Sequence, residues 1–141
     1  MKSSQGFILT INGGSSSLKS SLFQVGPPLT PVWSCLVDRI GFPDATLTLT
    51  DMASGTSERQ SIQAVHHKDC VDLLLARLEQ KVGLLDLDAI GHRVVHGGHR
   101  YREPYMATAE VMGELRRLSP YDPEHLPAEI QLIEALGRRF P

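Results

Sequence analysis

The first half of the chain alternates hydrophobic and polar positions with the period of β-strands. Residues 7–11 and 18–25 are rich in isoleucine, leucine, phenylalanine and valine, and they predict two strands joined by a turn over residues 12–17. Three further strands are predicted over residues 32–40, 46–50 and 59–65. Short stretches rich in Gly, Pro, Ser or Asp separate them, so the order predicts an antiparallel meander.

The apolar spacing changes to that of a helix after residue 65. Five residues lie on one face of this predicted helix: Val71, Leu74, Leu75, Leu78 and Val82. Asp69 is placed to cap the helix and Gly83 to end it. Residues 89–95 then return to a strand pattern, which predicts a crossover that adds a parallel strand to the same sheet.

Two more helices are predicted in the last third of the chain. The first begins at Thr108, and the second has Pro127 at its first position. Their apolar faces consist of Val111, Leu115 and Leu118 and of Ile130, Ile133 and Leu136. The succession of five strands, a helix, a strand and two helices predicts an α/β fold with a mixed sheet in one domain, residues 1–141.

The turn between the first two strands has the composition of a phosphate-binding loop. Its sequence is Asn12-Gly13-Gly14-Ser15-Ser16-Ser17, followed by Leu18 and Lys19. The glycines can adopt positive φ and let the backbone approach a ligand, the serines add donors, and the lysine adds a positive charge. The spacing matches neither the Walker loop nor Gly-x-Gly-x-x-Gly. Because these residues also make ordinary hairpin turns, the loop alone leaves both interpretations open.

A second polar motif, GHRVVHGG, covers residues 91–98 at the end of the predicted crossover strand. Ligands of open α/β sheets bind where strands end, so Arg93 could face the same cleft as the loop and offer its planar fork to a carboxylate or phosphate. Five histidines lie near these motifs: His66, His67, His92, His96 and His99. A metal cluster is one reading of them, but no cysteine or carboxylate completes a ligand set, so core or hydrogen-bonding roles are favoured.

Composition and charge narrow the class of partner. The 141 residues carry 14 basic and 16 acidic side chains, a net charge of −2, so no basic field attracts nucleic acid or an anionic membrane, and a small-molecule partner is predicted. No apolar run reaches the roughly 18 residues of a membrane span, and the N-terminus lacks a signal-peptide core, which predicts a cytoplasmic protein. Cys35 and Cys70 lack C-x-x-C spacing and are predicted to be reduced thiols.

The two polar motifs together resemble the two signatures of acetate kinases. FILTINGGSSSLKSSLF is similar to the N-terminal phosphate loop of the acetokinase family, which also includes propionate and butyrate kinases, and GHRVVHGG is similar to its second signature. The resemblance implies the ribonuclease H-like mixed sheet of the actin/sugar-kinase/Hsp70 superfamily, with residues 1–141 as one lobe, the N-terminal acetokinase domain. The C-terminal nucleotide-binding lobe and the family's catalytic aspartate would lie outside this chain. No catalytic residue is therefore identified here, and the fragment alone is expected to be inactive.

The resemblance also implies a role for each matching residue. Asn12 would help to hold Mg²⁺, Arg93 would bind the substrate carboxylate, and Val95 would line the pocket for its methyl group. Nucleotide and phosphate would be held by Gly14, Ser15, Ser17 and Lys19. In the full-length enzyme, a homodimer, these residues would serve the reversible transfer of a phosphoryl group from ATP to acetate, giving acetyl phosphate and ADP.

The chain departs from the family pattern at two places. Gly13 stands where alanine is common, and Pro120-Tyr121-Asp122-Pro123 stands where Pro-Leu-His-Asn-Pro is usual. Tyr121 could replace the leucine as a pocket wall, which leaves the acyl-chain preference open. The alternatives are therefore a propionate or butyrate kinase, or a non-catalytic module that binds phosphate or nucleotide.

Overall fold

The computed structural model describes residues 6–83, 86–95 and 97–141. Within these ranges the chain forms a six-stranded mixed sheet and three α-helices. The strands are β1 (Phe7–Gly13), β2 (Leu18–Gln24), β3 (Thr30–Asp38), β4 (Thr46–Asp51), β5 (Ser57–Ser61) and β6 (Leu87–His92). The helices are α1 (His67–Val82), α2 (Ala109–Leu118) and α3 (Leu126–Arg139), with a 3₁₀ turn (Ser119–Tyr121) between the last two. This order confirms the predicted α/β fold with a mixed sheet.

The strands lie side by side in the order β5-β4-β3-β2-β1-β6. The first five form antiparallel pairs between sequence neighbours, which is the predicted meander. β6 pairs with β1 in parallel, and the chain reaches it through α1. A parallel crossover needs a connection of a dozen or more residues, which α1 supplies. The predicted parallel strand is therefore confirmed.

The hydrophobic core lies on one face of the sheet because side chains alternate along each strand. In the β1–β2 pair, Leu9 lies opposite Leu22 and Ile11 lies opposite Ser20, and all four are buried. α1 packs its apolar stripe into this core, and α3 adds two leucines. The α1 stripe consists of Cys70, Val71, Leu74, Leu75 and Leu78. No helix within the described ranges is long and apolar enough to span a membrane.

A second apolar cluster joins α2 to α3. Its buried members are Met112, Leu115, Leu118, Leu126, Ile130 and Ile133. Val94, two residues beyond the end of β6, packs against this cluster. The chain that leaves β6 therefore passes from the sheet to the helices.

The start and end of α1 follow the sequence signals. The Asp69 carboxylate accepts the N–H of His66 at 2.8 Å and that of Val65 at 3.2 Å, so it completes a capping box in which His66 is the N-cap. These bonds lower the pKa of Asp69. Gly83 ends the helix with φ of 81°, a value that favours glycine.

Two strands end earlier than the sequence pattern predicts. β5 ends at Ser61 rather than at residue 65, because residues 62–64 exchange backbone hydrogen bonds with the segment between β3 and β4. β6 ends at His92 rather than at residue 95. Hydrophobic alternation continues into Val94, but that side chain packs on α2 and α3 and not on the sheet.

The two cysteines are free and buried. Cys35 lies on β3 and Cys70 on α1, and both belong to the core of the sheet. Burial raises the pKa of Cys35 to about 12 and that of Cys70 to about 11, because a thiolate there would lose its hydration.

We expect both thiols to be inert in the folded protein. At about pH 8, well below both pKa values, neither thiol should react with DTNB until denaturant opens the core. The rate of release of the coloured thiol product should then follow the unfolded fraction. Rapid stoichiometric reaction in the absence of denaturant would contradict the buried, protonated state.

Candidate functional site

The loop between β1 and β2 is a tight turn from Gly14 to Ser17. Gly14 N–H donates to Ser17 O at 2.8 Å and closes the turn. Ile40, just beyond β3, donates its N–H to Ser16 O, also at 2.8 Å. Ser15 at the tip is exposed. The loop is thus fixed by its neighbours while its outer edge stays open to solvent.

The glycines of the loop are needed for close packing and not for a left-handed backbone. Neither Gly13 nor Gly14 has a positive φ, so the loop does not use that conformational freedom of glycine. A Cβ at Gly14 would lie 2.5 Å from Ser17 Oγ, and a Cβ at Gly13 would lie 3.2 Å from Leu132 Cδ1 of α3. Both distances are shorter than ordinary van der Waals contact. The absence of a side chain therefore lets the turn close and lets α3 approach it.

His67, the first residue of α1, clamps both ends of the loop. Its Nε2 lies 2.7 Å from Gly14 O and 3.1 Å from Ser17 O. Both partners are carbonyl oxygens, which only accept, so Nε2 carries the proton and donates. The sequence alone does not single out His67 among the nearby histidines, because the two residues that it binds lie 53 and 50 positions away.

The strand register brings Lys19, Asn12 and Arg93 together. Asn12 of β1 lies directly opposite Lys19 of β2, so their side chains share a face of the sheet. On the other side of β1, His92 pairs with Ile11 and Arg93 N–H donates to Ile11 O at 2.9 Å. Continuing the parallel register places Arg93 beside Asn12. Neighbouring strands lie about 4.8 Å apart, so the backbones of Lys19 and Arg93 are roughly 10 Å apart.

These residues meet on an open surface and not in an enclosed pocket. Lys19 and Arg93 are exposed, and neither lines the two clefts identified among the described residues. One of those clefts runs between the loop and α3 and is lined by Gly14 and Glu129, among others. Val95 leaves about half of its side chain exposed, at 49%. The roles predicted for these residues and for Ser15 and Ser17 stay predictions.

The histidines are in different chemical states. His92 is mostly buried beside β1, and loss of hydration lowers its pKa to about 4, so the ring is neutral near pH 7. His125 Nδ1 lies 2.9 Å from Asp122 Oδ1, and this bond raises the pKa of His125. His96 lies outside the described residues. Within residues 6–83, 86–95 and 97–141, no group of three or more His, Cys, Asp or Glu could hold a metal ion.

Known proteins share this sequence and fold. The acetokinase family profile matches residues 7–141. The chain is 36% identical over 137 residues to the acetate kinase of Bacillus mycoides (strain KBAB4), covering 95% of this chain and 34% of that protein. The acetate kinase structure from Porphyromonas gingivalis matches with a TM-score of 0.84 and 28% identity, over 96% of this chain and 35% of that one. A propionate kinase structure from Francisella tularensis subsp. tularensis SCHU S4 matches with a TM-score of 0.83 and 26% identity, over 96% and 34%.

The chain belongs to the acetokinase family. Its mixed sheet and helices have the actin-like fold of acetate kinases, which confirms the fold class expected from the two motifs. The chain spans about a third of the length of the curated acetate kinases that it matches.

Substitution of His67 tests whether this acetokinase loop depends on its clamp. Gln can place an amide N–H close to the position of Nε2, whereas the shorter Asn cannot. We expect His67→Asn to lower the free energy of unfolding by about 1–3 kcal/mol, because two carbonyl groups lose their donor, and His67→Gln to restore most of it. Denaturant unfolding measures both, and equal losses in the two variants would contradict the clamp.

The neutral state of His92 makes stability depend on pH. The unfolded chain protonates this ring near pH 6.5 and the folded chain only near pH 4, so the unfolded state binds more protons between those values. The free energy of unfolding should therefore fall as the pH is lowered through this window, by on the order of 3 kcal/mol for this group. A His92→Gln variant should lack that component. An NMR titration midpoint near 6.5 for the His92 ring in the folded protein would contradict the assignment.

Proposed function

We propose that this chain forms the N-terminal lobe of an ATP-dependent acetate kinase, which transfers a phosphoryl group reversibly from ATP to acetate and yields acetyl phosphate and ADP. The observation that carries the proposal is the alignment of Lys19, Asn12 and Arg93 on neighbouring strands beside the loop. The names of its relatives, which are acetate kinases, support the choice of reaction. Because the chain spans about a third of their length, the proposal concerns the complete gene product, and this stretch by itself is proposed to be inactive.

The chemistry explains why cations are required and a strong base is not. A carboxylate that attacks the γ-phosphoryl group brings two anions together, so positive charges and N–H donors must surround the path of transfer. Acetate is already ionised at neutral pH, because the pKa of a simple carboxyl group is about 4. Arg93 is proposed to hold the carboxylate through its planar fork, and Lys19 is proposed to contact the phosphates.

The loop is proposed to hold phosphate through Ser15 and Ser17. Ser15 is exposed at the tip, where its hydroxyl and N–H can face a ligand. Gly14 already uses its own N–H inside the turn, so its proposed part is the space that a side chain would otherwise fill. Val95 is proposed to contact the methyl group of acetate.

Asn12 is the proposed contact for Mg²⁺. An amide oxygen is a ligand that Mg²⁺ accepts, and the ion is usually bound by one or two protein groups together with substrate phosphates. Asn12 lies beside the loop, and the described residues contain no cluster of three ionisable ligands. This donor set fits an ion that arrives with the nucleotide, and the ion would offset the negative charge of its phosphates.

The carboxylate that the enzyme prefers is proposed to be acetate, with propionate or butyrate as the alternative. One structural relative is named a propionate kinase. A single methylene changes kcat/KM by only about 10–200-fold in an apolar pocket, so a substrate-length series is the appropriate assay. Tyr121, with 76% of its side chain exposed, is available to form part of the pocket wall.

The complete protein is proposed to be a cytoplasmic homodimer whose small-molecule partners are acetate and ATP. The alternative function is a non-catalytic module that binds phosphate or nucleotide through the loop alone. The two proposals differ in one measurable respect: only the kinase forms acyl phosphate, and its turnover is proposed to require Arg93.

Replacing Arg93 tests the kinase proposal directly. In the complete gene product, Arg93→Ala should lower kcat/KM for acetate, because a charged donor to the reacting carboxylate is lost. The decrease should correspond to a loss of about 2–4 kcal/mol of transition-state stabilisation. Arg59→Ala is the matched control, since Arg59 is an exposed arginine on the far edge of the sheet. The assay is acyl phosphate formation, and an unchanged kcat/KM in Arg93→Ala would overturn the role of Arg93.

A further inference from the structure

Glu129 of α3 is a buried carboxyl group with an unusual partner. Of the charged side chains in the described residues it alone is buried, with 5% of its surface exposed. Both of its carboxyl oxygens lie 3.2 Å from the backbone nitrogen of Val95 and accept its N–H. Burying a carboxyl group is costly unless it is hydrogen-bonded, so the bond from Val95 offsets part of the cost of burying Glu129 here.

The hydrogen bond from Val95 to Glu129 takes the place of a backbone hydrogen bond of the sheet. Arg93 N–H donates to Ile11 O, and a parallel ladder would place the next bond of this kind from Val95 N–H to Gly13 O. The carboxyl group of Glu129 takes that N–H instead. It therefore ends the pairing of β1 with β6 and diverts the chain towards α3.

The backbone of Arg93 consequently lies between two hydrogen bonds, which act as anchors. Its own N–H is fixed to β1, and the N–H two residues later is fixed to α3. Between them Val94 packs its side chain into the apolar cluster of α2 and α3. The backbone that carries the guanidinium is thus held on both sides, and the second anchor depends on one side chain.

Burial and the neighbouring groups act on the pKa of Glu129 in opposite directions. Burial raises the pKa of Glu129, while the bond from Val95 and the charges of His125 and Arg93 act in the opposite direction and Asp122 acts with burial. A carboxyl group accepts a hydrogen bond in either protonation state, so the anchor does not require full ionisation.

We propose that Glu129 is a positioning residue that fixes the Arg93–Val95 segment to α3 and thereby orients Arg93 towards the substrate carboxylate. The proposal rests on the proposed function, because it assumes that Arg93 binds that carboxylate. Glu129 itself contacts backbone and not substrate.

The test compares Glu129→Leu with Glu129→Gln in the complete gene product. Leu removes the acceptor, whereas Gln keeps one oxygen at the same reach. We expect Glu129→Leu to raise KM for acetate tenfold or more with KM for ATP changed less than about twofold, and Glu129→Gln to recover most of that change. Glu134→Leu is the matched control, since Glu134 lies on the same helix and pairs with the exposed Arg116. Equal KM for acetate in Glu129→Leu and the unsubstituted enzyme would overturn the proposal.

A double variant shows whether the effect passes through Arg93. If Glu129 acts by orienting Arg93, adding Glu129→Leu to Arg93→Ala should cause no further rise in KM for acetate. If Glu129→Leu raised KM for acetate in the Arg93→Ala background as much as it does alone, Glu129 would act elsewhere, and the positioning role would be overturned. If Glu129→Leu does not fold, Glu129→Asp takes its place, because the shorter side chain keeps the charge but does not reach Val95.

A physical readout separates this proposal from the proposed function. The amide of Val95 should exchange with solvent faster in Glu129→Leu, and the Arg93 side chain should gain mobility in ¹⁵N relaxation. Absence of acyl phosphate formation by the unsubstituted protein would overturn the kinase function, yet this readout would still decide the anchor. Unchanged Val95 exchange and Arg93 mobility in Glu129→Leu would overturn the positioning of Arg93 whatever the enzyme assay gives.

Discussion

The parallel pairing of β1 with β6 is the constraint on which the candidate site depends. Arg93 stands about eighty residues after Asn12 in the sequence, and only this pairing brings them side by side. The pairing exists because α1 carries the chain across one face of the sheet and buries its apolar stripe there. The core thus determines the site, because the burial of α1 brings the chain back beside β1, the strand that leads into the loop.

Alternation along β1 separates the core from the chemistry. Leu9 and Ile11 are buried in the core, whereas Thr10 and Asn12 lie on the opposite face. A slip of one residue between β1 and β2 would exchange these faces and would remove Asn12 from its place opposite Lys19. The closed turn from Gly14 to Ser17 fixes that register, and the clamp from α1 holds the turn. The loop therefore has a structural role even before a ligand is considered.

The sequence predicted what is periodic or local and missed what depends on distant contacts. The strands of the meander, the crossover and the Asp69 capping box all follow from patterns within a few residues. The course of the chain after β6 did not, because the N–H of Val95 binds Glu129, 34 residues further along the chain. His67 was missed for the same reason, since its partners lie about fifty residues away. The requirement for glycine at position 14 is local, but it comes from the nearby side chain of Ser17 and not from the backbone angle that composition suggests.

The proposed site has to accept two anions, and this restricts which groups can support it. Carboxylates close to the reacting phosphates would repel them, so the groups that hold the loop and the strand end should carry little negative charge. The clamp on the loop is an imidazole that donates to carbonyl groups and brings no negative charge. The anchor on the strand end is a carboxyl group, but it is buried and accepts the N–H of Val95, and burial raises its pKa. The His92 ring, at the last residue of β6, is neutral near pH 7 because burial lowers its pKa to about 4. Lys19 and Arg93, which are exposed, supply positive charge to this proposed site.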